Sequence, residues 1–302
     1  HKDASELEKE SSAATVPGKS PVPADRIVVC FMDLGISPPS DPGEIRSAIV
    51  KDLIGSNAGI IVLSGVRDAA SAEAIGKMLP EYGFLGKVEG ADRESVLAVF
   101  SKTKPEKFEA LTDMKYKIED KEMPVSKGFA HCVFRIGDYS FHLVAADLKD
   151  RTLHPDFNQT DMRRYEARQL RYLVNDIAKA EPSANILVVG NLNDTCGMSP
   201  LKELYNRRSG IEKRLFDIRP LDRMKTTWTS WDRGSDEFER IDYALANFAM
   251  VSEIDRAGTA IIPSESWRKF PLHRPLVVAV SCRDAGKPSK EELDRIYPYS
   301  IY

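Results

Sequence analysis

A four-layered α/β sandwich, two mixed β-sheets packed face to face with helices outside, is the fold this sequence predicts. Three observations lead there. Continuous apolar runs at residues 27–31 (IVVCF), 59–63 (GIIVL) and 186–190 (ILVVG) read as strands buried on both faces. Segments of helical period lie between such runs, which favours parallel pairing. Gly137-Asp138, set between the strand-like runs 130–136 and 139–146, is an antiparallel hairpin signal. Strands of both kinds imply mixed sheets.

The elements follow in order. Residues 27–31 form the first strand, and Ser37-Pro38-Pro39-Ser40 breaks the chain after it. A helix begins at Asp41 or Glu44 and runs through Ile45, Ala48, Ile49 and Leu53. Residues 59–63 are the next strand, 69–79 a helix ending before Pro80, and 95–100 a third strand. The polar stretch 103–125 shows no clear period. After the 130–146 hairpin comes a loop from Lys149 to about Thr160. A helix capped by Asp161 then reaches Ala180, with Leu170, Leu173, Val174 and Ile177 on its buried face. Residues 186–190 make a short strand ending at the loop 191–194. The last third is β-rich, with strands expected at 226–231, 240–246, 258–262 and 275–281.

No repeat or linker interrupts residues 26–284, which are expected to form a single domain. Residues 1–25, rich in Ser, Ala, Lys, Glu and Pro, read as a flexible leader of the kind that follows a removed export signal, so an exported protein is expected. Residues 285–302 form a charged tail bearing Tyr297, Tyr299 and Tyr302. With 42% hydrophobic and 29% charged residues among 302, the chain has the composition of a soluble globular protein, and no run is apolar enough to span a membrane. A net charge of −3 gives no strong nucleic-acid signal. Cys30, Cys132, Cys196 and Cys282 form no CxxC pair, which argues against zinc; the first two and Cys282 read as small core residues.

Four segments carry chemistry. Residues 60–66 (IIVLSGV) look like a strand ending in "LQEV", 190–194 (GNLND) like "GDFND", 240–243 (RIDY) match "RIDY", and 271–276 (PLHRPL) look like "SDHRPV". Between them, Leu148-Lys149 with Arg164, Glu166, Ala167 and Leu170 is similar to "HLK" followed by "R-x-x-E-A-x-x-L". In this order and spacing the segments resemble the endonuclease/exonuclease/phosphatase family, whose fold is DNase I-like. The resemblance covers about residues 26–282. It implies hydrolysis of phosphate esters with Mg²⁺ or another divalent cation, a hard ion that takes carboxylate and amide oxygens. It also implies an Asp to activate water and a His, held by a buried Asp, on the phosphate.

Several of those positions hold other residues. The metal-binding Glu is Gly65, the water-activating Asp is Asn191, the Asp of "SDH" is Leu272 and the His of "HLK" is Asp147. The first-strand Asn falls on Met32, or on Asp33 if the register moves by one. Asn193, Asp242 and His273 keep the family's pattern and, with Asn191, make a remnant site. A structural role is open to them as well, with Asn193 ordering its loop and Asp242 holding His273 as a buried polar pair.

The sequence therefore predicts a catalytically silent member of the fold, retained to bind a phosphate-bearing molecule, a glycan or another protein, with no cofactor. The alternative is an active phosphoesterase whose rebuilt acidic site, Asp33, Asp147 and Asp194, holds a divalent cation. A scaffold role, with the tail and the stretch 103–125 as contact surfaces, is a third class. Asn158-Gln159-Thr160 and Asn193-Asp194-Thr195 fit the N-glycosylation pattern and are read as chance matches.

Overall fold

The computed structural model describes residues 25–35, 42–264 and 266–296. The proposed leader, Asp25 apart, lies outside them, as do the chain break at 37–40, the candidate cap Asp41 and the three tail tyrosines. The chain runs β1 (Arg26–Asp33), α1 (Pro42–Gly55), β2 (Ile60–Val66), α2 (Ala69–Lys77), β3 (Phe84–Glu89) and β4 (Val96–Ser101). Then come β5 (Lys107–Leu111), β6 (Lys115–Ile118), β7 (Lys121–Pro124), β8 (Phe129–Ile136), β9 (Tyr139–Asp147) and α3 (Gln159–Ala180). They are followed by β10 (Ile186–Asn191), α4 (Ser199–Tyr205), β11 (Leu215–Asp217), β12 (Ser230–Asp232), β13 (Glu237–Glu239) and β14 (Asp242–Asn247). The chain closes with β15 (Ile254–Ile261), α5 (Ser266–Lys269), β16 (Leu276–Ser281) and α6 (Lys290–Ile296).

Two six-stranded sheets result, in the orders β15-β16-β1-β2-β4-β3 and β11-β14-β10-β9-β8-β5. Parallel pairing joins β1 to β2 and β9 to β10; the other neighbours in both sheets are antiparallel. The mixed sheets predicted from sequence are therefore present, with less parallel pairing than the buried runs suggested.

Alternation along each strand explains those runs. Val29 and Phe31 enter the core between the sheets, with Val62, Phe134, Phe141, Leu143, Leu187 and Val278. Cys30 and Met32 point the other way, into a core shared with Leu53 of α1 and Ile75 of α2. On the far side of the second sheet, Val144 and Val188 meet Leu170, Val174 and Ile177 of α3. Helices, sheet, sheet and helices make the four layers.

Differences from the sequence reading have local causes. The cap of α3 is Asn158, whose side chain accepts from the amides of Thr160 and Asp161; Asp161 sits in the first turn, where its charge suits the helix dipole. The stretch 103–125 holds β5 and a small hairpin, β6–β7, that puts Tyr116 and Ile118 into the core under α3. The alternation of β6 spans only four residues, and β5 and β7 bury no residue fully, so the stretch carries little periodic signal. Instead of a strand over 226–231, only Ser230–Asp232 pairs, with Glu237–Glu239, while the Thr229 hydroxyl accepts from the amides of Ile241 and Asp242. In the tail, α6 buries Leu293 against Phe216, Phe248 and Val251. All four cysteines are free; Cys30 and Cys132 are buried, Cys282 is half-buried and Cys196 is exposed. No helix among the described residues is long and apolar enough to cross a membrane.

Gly190 sets the approach of β10 to β9: a Cβ there would lie 2.2 Å from the Ala146 carbonyl oxygen. Gly190→Ala is expected to cost about 2–4 kcal/mol of unfolding free energy by urea titration, because two backbones must separate to admit it. A loss below about 1 kcal/mol would mean that the strands relax freely.

Candidate functional site

Sheet register places the candidate residues side by side. At the end of β10, Asn191 lies opposite Asp147 of β9 and Asp242 of β14. In the facing sheet Asp33, the last residue of β1, lies opposite Ser64 of β2. The His273 amide donates to the Asp33 carbonyl, fixing the loop before β16 over these strand ends. Asp33, Asp147, Asn191 and Asp242 are each at most 4% exposed. Carboxylates this deep require partners.

Asp33 is surrounded by donors. Its Oδ1 accepts from the Gly35 amide at 2.7 Å, and its Oδ2 accepts from the Ser64 hydroxyl and from Asn191 Nδ2, the latter at 3.2 Å. Burial alone would raise its pKa, but the positive His273, the hydrogen bonds from Ser64 and Gly35, and Lys127 outweigh it and hold Asp33 below the usual carboxylate range. The Asn191 amide is used at both ends, since its Oδ1 accepts from the Asn193 amide at 2.9 Å. Asn193 itself takes a left-handed backbone, φ 53°, and its Nδ2 donates to the Leu148 carbonyl at 2.8 Å.

His273 Nδ1 lies 2.8 Å from Asp242 Oδ2, and Nε2 lies 3.9 Å from Asp33 Oδ1. Burial works against the imidazolium, yet Asp242, Asp33 and Asp147 outweigh it and lift the His273 pKa to about 9. Oδ1 of Asp242 is buried without a hydrogen-bond partner, and burial raises the pKa of that carboxyl too. Asp147 stands on the other side. Burial, reinforced by Asp33 and opposed by Lys127, pushes its carboxyl up to about 7.

Lys127 is the residue the sequence reading missed. It lies between β7 and β8, is 4% exposed, and brings its ammonium to 3.3 Å from Asp147 Oδ2. The desolvation cost of that ammonium is overcome by Asp147, Asp33 and Asp92, which raise its pKa. Two buried residues of α3, one turn apart, hold the surrounding loops. Glu166 accepts from the Ser126 amide and hydroxyl and from the Lys149 amide. Arg163 donates to Asp194 Oδ2 through Nε and Nη2, both at 3.1 Å, and through Nη1 to the carbonyls of Lys149 and Asp150. The available sequence signal was "R-x-x-E-A-x-x-L", whose Arg, counted back from Glu166, is Arg163 and not Arg164; it marked the helix but not the loops these two residues grip.

The structure thus brings Asp33, Asp147, Asn191, Asn193, Asp242 and His273 into one group. Asp194 is turned away into its ion pair with Arg163. The register at the first strand is Asp33, because Met32 points into the core under α1 and α2. Leu272 belongs to that same apolar cluster. Gly65 lies at a bulge between β2 and β4 with φ +65°, and a Cβ on it would meet the Gly35 amide nitrogen at 3.0 Å.

Comparison with solved structures finds the same architecture. An endonuclease/exonuclease/phosphatase family protein from Bacteroides thetaiotaomicron superposes with a TM-score of 0.61 at 15% identity, over 84% of this chain and 94% of that one. The chain has the DNase I-like fold. The catalytic domain of human Nocturnin matches at TM-score 0.60 and 12% identity, over 85% and 95% of the two chains. A mannosyl-6-phosphatase from Bacteroides thetaiotaomicron matches at 0.58 and 13%, over 83% and 98%. No protein-family model matches the sequence, and no curated protein matches it.

The divalent ion implied by the family resemblance does not fit the residues present. Such an ion needs converging oxygen acceptors. Both Asp33 oxygens are taken by donors, Asn191 presents its N–H₂, and an ammonium lies against Asp147. Among the described residues no three or more His, Cys, Asp or Glu are placed to hold a metal ion.

The pKa shifts set a pH dependence. His273, raised from 6.5 to about 9, contributes stability that is complete below pH 6.5 and lost as pH rises through 9. Asp147, raised from 3.8 to about 7, binds its proton more tightly when folded, so its contribution is lost as pH rises through 7. The contribution of these two groups to stability is therefore expected to fall between pH 4 and 9, and Asp147→Asn to make the acidic half of the slope in urea titrations shallower than in wild type. Asp242→Asn should lower the His273 pKa by roughly 1–2 units, read from its ring resonances by NMR. An unchanged value would show that Asp242 does not hold the imidazolium.

Proposed function

We propose that this chain is a catalytically silent form of the endonuclease/exonuclease/phosphatase architecture, retained to bind a ligand or partner at the strand ends. One observation carries the reading: at the position where a base would activate water stands Asn191, and its amide donates to Asp33. An amide has no useful basicity, and this one has both ends engaged. Gly65 supplies no side-chain oxygen, and Leu272 is part of the core. The ligand is a phosphate-bearing molecule, a glycan or a protein surface; the protonated His273 favours the first. Export, inferred from the composition of residues 1–25, is part of the same proposal.

The second reading, an active phosphoesterase with a rebuilt acidic site, is favoured by Asp147. Its pKa of about 7 suits a general base at neutral pH. It stands second because Asp147 is held by Lys127 and Asp194 by Arg163. Purified protein incubated with bis-p-nitrophenyl phosphate or p-nitrophenyl phosphate, with Mg²⁺ or Mn²⁺, is expected to release no nitrophenol above the His273→Ala control. Turnover that disappears in Asp147→Asn and on chelation would establish the second reading instead.

A further inference from the structure

We infer that Lys127 is a tethered cation which takes over the charge-neutralising place of a divalent ion, so that the site is filled by the chain's own ammonium. This rests on the reading of the strand-end site as silent and says how that state is maintained. Buried carboxylates need compensating positive charge whether or not any chemistry is performed. A free divalent ion supplies it by binding through oxygen ligands. A lysine supplies a compact point charge with three donors and, being covalently held, needs no ion from solution.

The surroundings of Lys127 are built to deliver it. Its main chain is clamped on both sides: a Cβ on Gly90 would lie 2.3 Å from Lys127 Cα, and one on Gly128 would lie 2.6 Å from the Leu111 carbonyl oxygen. Gly128 takes φ +69°, a conformation glycine adopts without strain. Ser126, just before, is bound through amide and hydroxyl to Glu166, which is fully buried. A solvated surface lysine needs none of this. Here the side chain is led inward to Asp147, with Asp33 and Asp92 within electrostatic reach. Of the other cations nearby, His273 is paired with Asp242 and shared with Asp33, Arg163 is paired with Asp194, and Arg151 is paired with Glu239. Without Lys127, Asp33 and Asp147 would lack one positive charge in a space bordered by the Asn193 amide, which is 3.4 Å from Asp147 Oδ1. Removing the ammonium also frees Asp147 Oδ2 as an oxygen acceptor, which the wild-type site withholds from any ion, and a small hard cation is then the solute best matched to that deficit.

The test compares wild type, Lys127→Ala and the double variant Lys127→Ala/Asp147→Asn by thermal unfolding, each with chelator and with millimolar Mg²⁺, Mn²⁺ or Ca²⁺. Wild type is expected to show the same midpoint in all conditions. Lys127→Ala should melt lower in chelator and recover by roughly 5 °C with cation at about a hundredfold excess over its Kd. The double variant, with both charges of the pair removed, should fold and show no response. A Lys127→Ala protein indifferent to all three cations, or unable to fold in their presence while the double variant folds, overturns the inference and leaves the silent reading intact. A wild-type midpoint raised by a cation also overturns it. If that same protein then cleaves a nitrophenyl phosphate, the silent reading falls separately.

Discussion

Carboxylates buried at the ends of adjacent strands oblige the fold to bring positive charge and hydrogen-bond donors to the same place. Asp147 and Asp242 flank Asn191 in one sheet, and Asp33 faces them from the other. The cost of leaving such groups unpaired exceeds what any single packing contact returns. Lys127, His273, Ser64 and the Asn191 amide are therefore structural requirements before they are anything else. They also explain why α3 carries a buried Arg and a buried Glu. Arg163 neutralises Asp194 and ties two loops together, and Glu166 fixes the segment from which Lys127 enters.

Much of the fold was legible in the sequence because its strands are buried on both faces. Runs such as 59–63 and 186–190 owe their uninterrupted apolarity to cores on either side, and no partner need be known to read them. The edge strand β3 and the small hairpin β6–β7 lacked that signal, since their form depends on neighbours far away in sequence. The site was legible only where side chains sit in motifs. Asn191, Asn193, Asp242 and His273 could be named from local pattern. Lys127 could not, because its meaning is a contact with Asp147, reached through a loop held by a residue of α3 forty positions on. Asp194 misled for the same reason: an acidic residue beside a site and one within it look alike until Arg163 is placed.

Gly65 bears on how the site differs from the pattern it resembles. A left-handed backbone at a bulge, with the Gly35 amide 3.0 Å from where a Cβ would stand, means that a glutamate there needs more than a change of side chain. The strain of a non-glycine residue at positive φ, on the order of 1–2 kcal/mol, would add to the contact. The main chain has adapted to the glycine. Similarly, Leu272 contributes to the core under α1 and α2, where a carboxylate would be buried among apolar groups.

Taken together, the polarity of the site is inverted relative to a cation cage. A cage presents lone pairs inward and excludes donors. Here the Gly35 amide, the Ser64 hydroxyl, the Asn191 amide and the Lys127 ammonium all point protons at Asp33 and Asp147. With His273 positive beside them, two cations answer the three carboxylates Asp33, Asp147 and Asp242, and Asp242 Oδ1 stays without a hydrogen-bond partner. In this fold the sheets fix where the side chains converge, and the loops decide their charge.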